Sequence, residues 1–216
     1  ADLATDVGGA TATSDGRRWA AAAARLARAI AATFGQTGYQ RTPAAGSGAD
    51  AAVAFLGPPF AVPGPQLLRA ARSAQQALTV PNGGLRPGTS WPGTPDVAWT
   101  PETAFFALFD AATGQHGQAS ALLAWLAAHR TRLGSLPEQV NSAGQPASVA
   151  PLAWTDAVTL LALLAQAGHL ATIPVPPALS SSQQYGCGLA PIREDANGSR
   201  NRAGLPGPRR RHRAGR

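Results

Sequence analysis

Apolar positions recur every three to four residues over most of the first 170 positions, and glycine or proline interrupts each run. Ser14 and Asp15 precede Trp19, Ala23, Leu26, Ile30 and Phe34, which share one side of a predicted helix that Gly35 ends. A short helix is predicted from Asp50 to Leu56, stopped by Gly57-Pro58-Pro59. A third runs from about Pro63 to Leu78, with Leu67, Leu68, Ala71 and Leu78 as its apolar side. Thr100 reads as the cap and Pro101 as a first-turn residue of a fourth helix, which buries Phe105, Phe106, Leu108 and Phe109 and stops at Gly114. A fifth covers roughly 116–133 and turns Leu122, Leu123, Trp125, Leu126 and Leu133 inward. The sixth extends from Pro151 to Ala167 on Trp154, Val158, Leu161, Leu164 and Ala165, with Gly168 as its stop. No segment sustains two-residue alternation. The predicted fold is therefore all-α, and its short connections favour helical hairpins.

Two connections are not short. Between Pro81 and Gly93 alone there are seven prolines and glycines, and residues 80–99 read as one long ordered loop. Residues 134–150 form another. Loops of this length in a helical domain tend to carry function, and these two lie one helical hairpin apart, at one end of the expected structure. From about Pro174 the periodicity is lost to Pro, Ser, Gly and Arg. The expected organisation is a flexible segment at 1–15, a helical domain at 16–177 and a disordered basic tail at 178–216.

Composition modifies this picture in three places. The net charge of +7 suggests a polyanion partner until it is located. Between Arg193 and Arg216 there are eight arginines against two acids, whereas residues 1–192 hold ten against nine. The basicity belongs to the tail, whose Arg209-Arg210-Arg211-His212-Arg213 cluster lacks interleaved aromatics and reads as solvated rather than as a nucleic-acid surface. The single cysteine, Cys187, excludes an internal disulfide and a cysteine-rich metal site. The chain has no methionine, so it is expected to be a processed product or a fragment of something longer. No run of eighteen apolar residues is present to predict a membrane span, and compartment stays open, with a lean to the cytoplasm.

The chemistry concentrates in the second loop. Glu138 follows Leu136-Pro137 on a Gly/Pro-rich stretch, shortly before a helix that opens with Pro151-Leu152-Ala153-Trp154. A carboxylate beside an indole suits a sugar: the acid handles protons and the indole stacks on the apolar face of a pyranose. Glu102 sits in the first turn of its helix, where a carboxylate favours the dipole, and reads as a cap-region residue. Asp110 and Asp156 are helical acids with no partner visible in the sequence. Trp19 and Trp125 read as core, and Trp91 as a further core candidate. His116, His129 and His169 sit at helix ends without metal-ligand spacing, and no phosphate loop, zinc motif or nucleophile elbow is present.

Three segments in order resemble a known family. Asp50-Ala51-Ala52-Val53 with Pro58-Pro59-Phe60, then Gly83-Gly84-Leu85-Arg86 with Trp99, then Leu136-Pro137-Glu138-Gln139 with Pro151-Leu152-Ala153-Trp154-Thr155-Asp156-Ala157 are similar to segments of the glucoamylase-like glycoside hydrolases, family 15. The last pair is the most specific, and the resemblance spans about residues 17–170. It implies a partial (α/α)6 barrel, about six of twelve helices, from the C-terminal half of the catalytic domain. It also implies a glycosidase that hydrolyses α-glucosidic bonds with inversion and without a cofactor or metal, acting on an α-glucoside, an oligosaccharide or trehalose. Glu138 matches the general base, Arg86 an arginine that holds sugar hydroxyls, and Trp99 and Trp154 aromatic pocket walls.

The sequence departs from the family at Pro87, where a tyrosine is expected, and at Asp156, where a histidine or tyrosine is expected. Nothing in residues 1–18 resembles the tryptophan-glutamate segment that carries the family's general acid. The expectation is therefore a chain lacking its acid, inactive alone, that associates through the uncovered face of a half barrel. Two other readings stand beside it: a non-catalytic carbohydrate-binding remnant, and a helical interaction protein whose tail binds polyanions.

Overall fold

A computed structural model describes residues 10–170, and over them the chain is mostly helical. Five α-helices are present among the described residues: α1 (Ala10–Phe34), α2 (Pro65–Leu78), α3 (Thr100–Ala112), α4 (His116–Ala128) and α5 (Ala153–Gln166). The segment Ala51–Leu56 is a 3-10 helix, and Asp50 caps it by accepting the Ala52 N–H at 3.0 Å. Residues 178–216, with Cys187 and the arginine cluster, lie outside the described residues. No helix among those described is long and apolar enough to cross a membrane.

The architecture is organised around α3. Its run Thr103-Ala104-Phe105-Phe106-Ala107-Leu108-Phe109 has no polar face, and every position from Thr103 to Ala111 is buried. A helix apolar all round must be covered on all sides. α4 and α5 both pack on it, the Thr155 end of α5 lying beside the Thr100 end of α3, and the 3-10 helix joins it to α2. Its C-terminus closes with Thr113 Oγ1 donating to the Phe109 carbonyl and Gly114 in the left-handed region at φ 79°. The core so formed includes Leu67, Ala71 and Leu78 of α2, Leu122 and Leu126 of α4, and Val158, Ala162 and Ala165 of α5.

Between the helices lies a small sheet that short-range periodicity cannot announce. Strands β1 (Ala98–Trp99), β2 (Gln139–Val140) and β3 (Pro146–Ala147) pair antiparallel in that order, with Trp99 opposite Gln139 and Val140 opposite Pro146. Each strand is two residues long, too short for an alternating pattern. A second small cluster of Val80, Ala98 and Val140 packs under Trp125, whose indole N–H donates to the Asn82 carbonyl at 2.8 Å. Gly84 is required here: a Cβ would lie 2.4 Å from Trp125 Cζ2 and 2.6 Å from Ala98 Cβ.

Several expectations need correction. α1 begins at Ala10, upstream of the Ser14-Asp15 cap and within the segment expected to be flexible. Trp19, expected in the core, is 51% exposed, and Leu26 on the same side is 63% exposed. The periodicity of α1 announces an apolar face, but no described element covers that stretch. α4 ends at Ala128 instead of continuing to 133, which leaves Leu133 at 97% exposure. Trp125 is half-buried and bridges the two clusters instead of sitting inside one. Leu164 is exposed while its neighbour Ala165 is buried.

Candidate functional site

The backbone of the two long loops is stitched to the mouths of α3 and α5. Trp99 N–H donates to the Leu85 carbonyl at 2.7 Å, and Arg86 N–H to the Leu78 carbonyl at 3.0 Å. Thr100 N–H donates to the Glu138 carbonyl at 3.0 Å, Glu138 N–H to Val149, and Leu152 N–H to Leu136. The four residues singled out in the sequence, Arg86, Trp99, Glu138 and Trp154, therefore come from segments joined by hydrogen bonds at one end of the helical core. Sequence places them across nearly seventy positions; the ladder β1–β2 and the α5 entry bring their backbones together.

A buried hydroxyl pair fixes the joint. Thr100 Oγ1 donates its single hydrogen to the Pro137 carbonyl, so at the 2.9 Å contact between Thr100 and Thr155 the donor must be Thr155. Thr100 was expected to cap its helix; Trp99 holds the cap position, and the Thr100 hydroxyl ties the helix mouth to the residue before Glu138. Both threonines are fully buried.

The side chains differ in setting. The half-buried Glu138 carboxylate accepts a short hydrogen bond from the Ser148 hydroxyl, Ser148 itself being at φ 63°. Trp99 is half-buried and meets Trp91 edge to face at 5.9 Å between ring centroids. Arg41 in turn stands 5.8 Å from the Trp91 ring centre. Trp154, expected to line both core and pocket, is 55% exposed, with its ring edge against Phe105 at 5.4 Å. Arg86 is half-buried. Three surface clefts, of about 600, 400 and 600 Å³, have linings drawn from Ala23–Ala77, and none is lined by these four residues.

Sequence reasoning missed Glu102. It was expected to be a cap-region carboxylate that the helix dipole favours, but its Oε2 is buried and has no hydrogen-bond partner among the described residues. Burial pushes its carboxyl up to about 7 from the usual 4.5. The bond to its own backbone N–H opposes this, and the charges of Asp50 and Glu138 add to it. Desolvation thus outweighs the helix dipole. The signal was available: Glu102 opens a helix with no polar side, so no face of that helix is free to carry a solvated charge.

Asp110, at the other end of α3, is 2% exposed and accepts a hydrogen bond from Gln75 Nε2 at 2.8 Å. His116 Nδ1 contacts Gln166 Oε1 at 3.0 Å, and His129 stacks on Trp125 at 4.2 Å. Among the described residues no three His, Cys, Asp or Glu side chains gather as a metal site requires.

Comparison of the chain with protein-family models, with curated proteins and with solved structures gives no match in any of the three.

Proposed function

We propose that this chain is a glycoside hydrolase of glucoamylase type, which hydrolyses α-glucosidic bonds by single displacement with inversion and releases glucose. The observation that supports this reading is the hydrogen-bonded joint of β1, the Glu138 loop and the α5 entry, which brings together the backbone segments that carry Glu138, Arg86, Trp99 and Trp154. Glu138 acts as general base. Its carboxylate takes a proton from water as the water oxygen attacks the anomeric carbon from the face opposite the leaving group. The Ser148 hydroxyl holds that carboxylate in place. Arg86 offers a planar fork of donors to vicinal hydroxyls, and Trp99 and Trp154 offer apolar faces to the pyranose.

In this reading the described helices are part of an (α/α)6 barrel. The exposed Leu160, Leu163 and Leu164 of α5 and Leu26 of α1 are then surfaces that further helices, or another chain, cover. Substrates are α-glucosides, including oligosaccharides and trehalose.

The test is hydrolysis of α-glucosyl fluoride followed by NMR of the anomeric proton. The expected product is β-glucose, and Glu138→Gln abolishes its formation. Formation of α-glucose, or turnover indifferent to Glu138→Gln, refutes the reading. The exposed indoles of Trp91 and Trp154 also suit a carbohydrate-binding remnant. That alternative predicts sugar binding that Glu138→Gln leaves intact, with no fluoride release.

A further inference from the structure

Glu138 is held from both sides along the chain. Just before it, the Thr100 hydroxyl grips the Pro137 carbonyl. Just beyond it, the Asn141 carbonyl accepts the side-chain N–H of Asn82 at 3.1 Å, a tie across 59 residues of chain. We propose that Asn82 is a positioning residue for the base: it fixes the hairpin that carries Glu138 against the loop that carries Arg86. The proposal rests on the glycoside hydrolase reading above.

Three bonds converge on this half-buried residue. Its Nδ2 donates to Asn141, its Oδ1 accepts the Gly84 N–H at 3.0 Å, and its backbone carbonyl accepts the Trp125 indole N–H at 2.8 Å. A carbonyl only accepts and a backbone N–H only donates, so both ends of the side-chain amide are committed in one orientation.

The two segments it joins are each stiffened from within. Gly84 lies two residues before Arg86, in a turn closed by Gly83 N–H to the Val80 carbonyl at 2.8 Å and Val80 N–H to the Gly84 carbonyl at 2.9 Å. Asn141 lies three residues after Glu138 and organises the turn between β2 and β3. Its carbonyl also accepts the Gly144 N–H at 2.9 Å, and its Oδ1 accepts the N–H groups of Ala143 and Gln145 at 3.0 and 2.9 Å. Asn82 therefore holds a turn, and not a single strand end.

The ladder alone is a weak clamp. Its strands are two residues long and supply few bonds, and the packing of Val140 on Val80 and Ala98 is not directional. Side-chain ties at the two ends of residues 137–141, from Thr100 and from Asn82, then set how the hairpin sits.

General-base catalysis is sensitive to that setting. The carboxylate must meet the proton of a water that is itself in line with C1, and a displacement on the order of 1 Å can cost about 100-fold. Arg86 holds the sugar and Glu138 aims the water, so the spacing of their two loops governs the attack.

The experiment measures fluoride release from α-glucosyl fluoride by variants that far-UV circular dichroism shows to be folded. Asn82→Asp keeps an acceptor for the Gly84 N–H and sets an oxygen against the Asn141 carbonyl. Asn82→Ala removes both side-chain bonds and adds no charge. Each should lower kcat by about 10- to 100-fold and change KM by less than about threefold. Asn82→Asp, which retains the turn, guards against a folding defect in the alanine variant, and the alanine variant guards against an effect of charge.

A second readout separates positioning from general damage. Glu138→Ala should lose turnover, and azide should restore fluoride release. Azide has no proton to lose, so its attack on C1, with fluoride leaving on the electron pair of the C1–F bond, needs no base. Adding Asn82→Ala to Glu138→Ala should leave that restored rate within about twofold, because no carboxylate remains to be misplaced.

Wild-type kcat in a folded Asn82→Asp, a rise in KM alone, or an azide-restored rate that falls as far as kcat did overturns the positioning role and leaves the glycosidase reading standing. Wild type that releases no fluoride overturns both.

Discussion

Replacing Thr100 by valine isolates the joint beneath the site. Valine keeps the shape and removes one hydroxyl that makes two buried bonds, to the Pro137 carbonyl and from the Thr155 hydroxyl. The surroundings are fully buried, so neither orphaned group regains water. An unsatisfied buried group costs about 1–3 kcal/mol, which for the two orphaned groups puts Thr100→Val at about 2–6 kcal/mol of stability. Thr155→Val removes only the incoming donor, leaves the Thr100–Pro137 bond in place, and should cost about 1 kcal/mol.

The double variant gives the sharper result. Once Thr100 is valine, the Thr155 hydroxyl is an orphan, and removing it should recover about 1 kcal/mol. Thr155→Val is therefore destabilising in the wild-type background and stabilising in the Thr100→Val background. Urea unfolding at 25 °C, followed by far-UV circular dichroism, measures all four corners of the cycle. Additive costs, with Thr155→Val destabilising by the same amount in both backgrounds, would refute the shared-hydroxyl reasoning.

Asp110 predicts a pH dependence. Burial raises its carboxyl to about 6 from the usual 3.8, the Gln75 hydrogen bond opposing and the Arg72 charge opposing further. Between about pH 4 and 6 the folded chain holds a proton that the unfolded chain has lost, so this residue's contribution to stability falls as pH rises and is gone above about 6. Asp110→Asn should flatten that segment and raise stability at pH 7 by about 1–3 kcal/mol; urea midpoints from pH 4 to 8 in the two proteins decide, and an unchanged slope sinks the idea. Gly84→Ala should cost about 3 kcal/mol, because its methyl meets the rigid Trp125 ring at 2.4 Å and Ala98 at 2.6 Å; a melting temperature within about 2 °C of wild type would show that the loop yields. Trp154→Ala should cost only about 1 kcal/mol of stability, given the exposure of the ring and its single edge contact with Phe105. The same variant should lower kcat/KM by about tenfold, and a large fall in the unfolding midpoint with unchanged turnover would return Trp154 to the core.

The sequence by itself determined roughly where the helices lie. Pro101 and Gly114 bracket α3, and its run of apolar residues admits no solvent-facing side, so it must be the covered helix. It also marked Glu138 and Trp154, because a carboxylate and an indole on neighbouring loop and helix entries are local features. What each apolar face packs against was not local. Trp19 and Leu133 lie on periodic faces that no described element covers, and only tertiary placement distinguishes them from Leu78 and Leu126.

The two-residue strands were invisible because each is too short to alternate and because β1 pairs with β2 across about forty residues. So was the Thr100 hydroxyl, which serves residue 137 and not its own helix end. Glu102 shows the difference most clearly. Sequence placed a carboxylate at a helix N-terminus, where the dipole favours its charge. Tertiary structure placed that helix at the centre and two other acids nearby, and removal from water then outweighs the dipole. The position of a group along the chain decides its local field; only its depth in the fold decides whether it holds a proton.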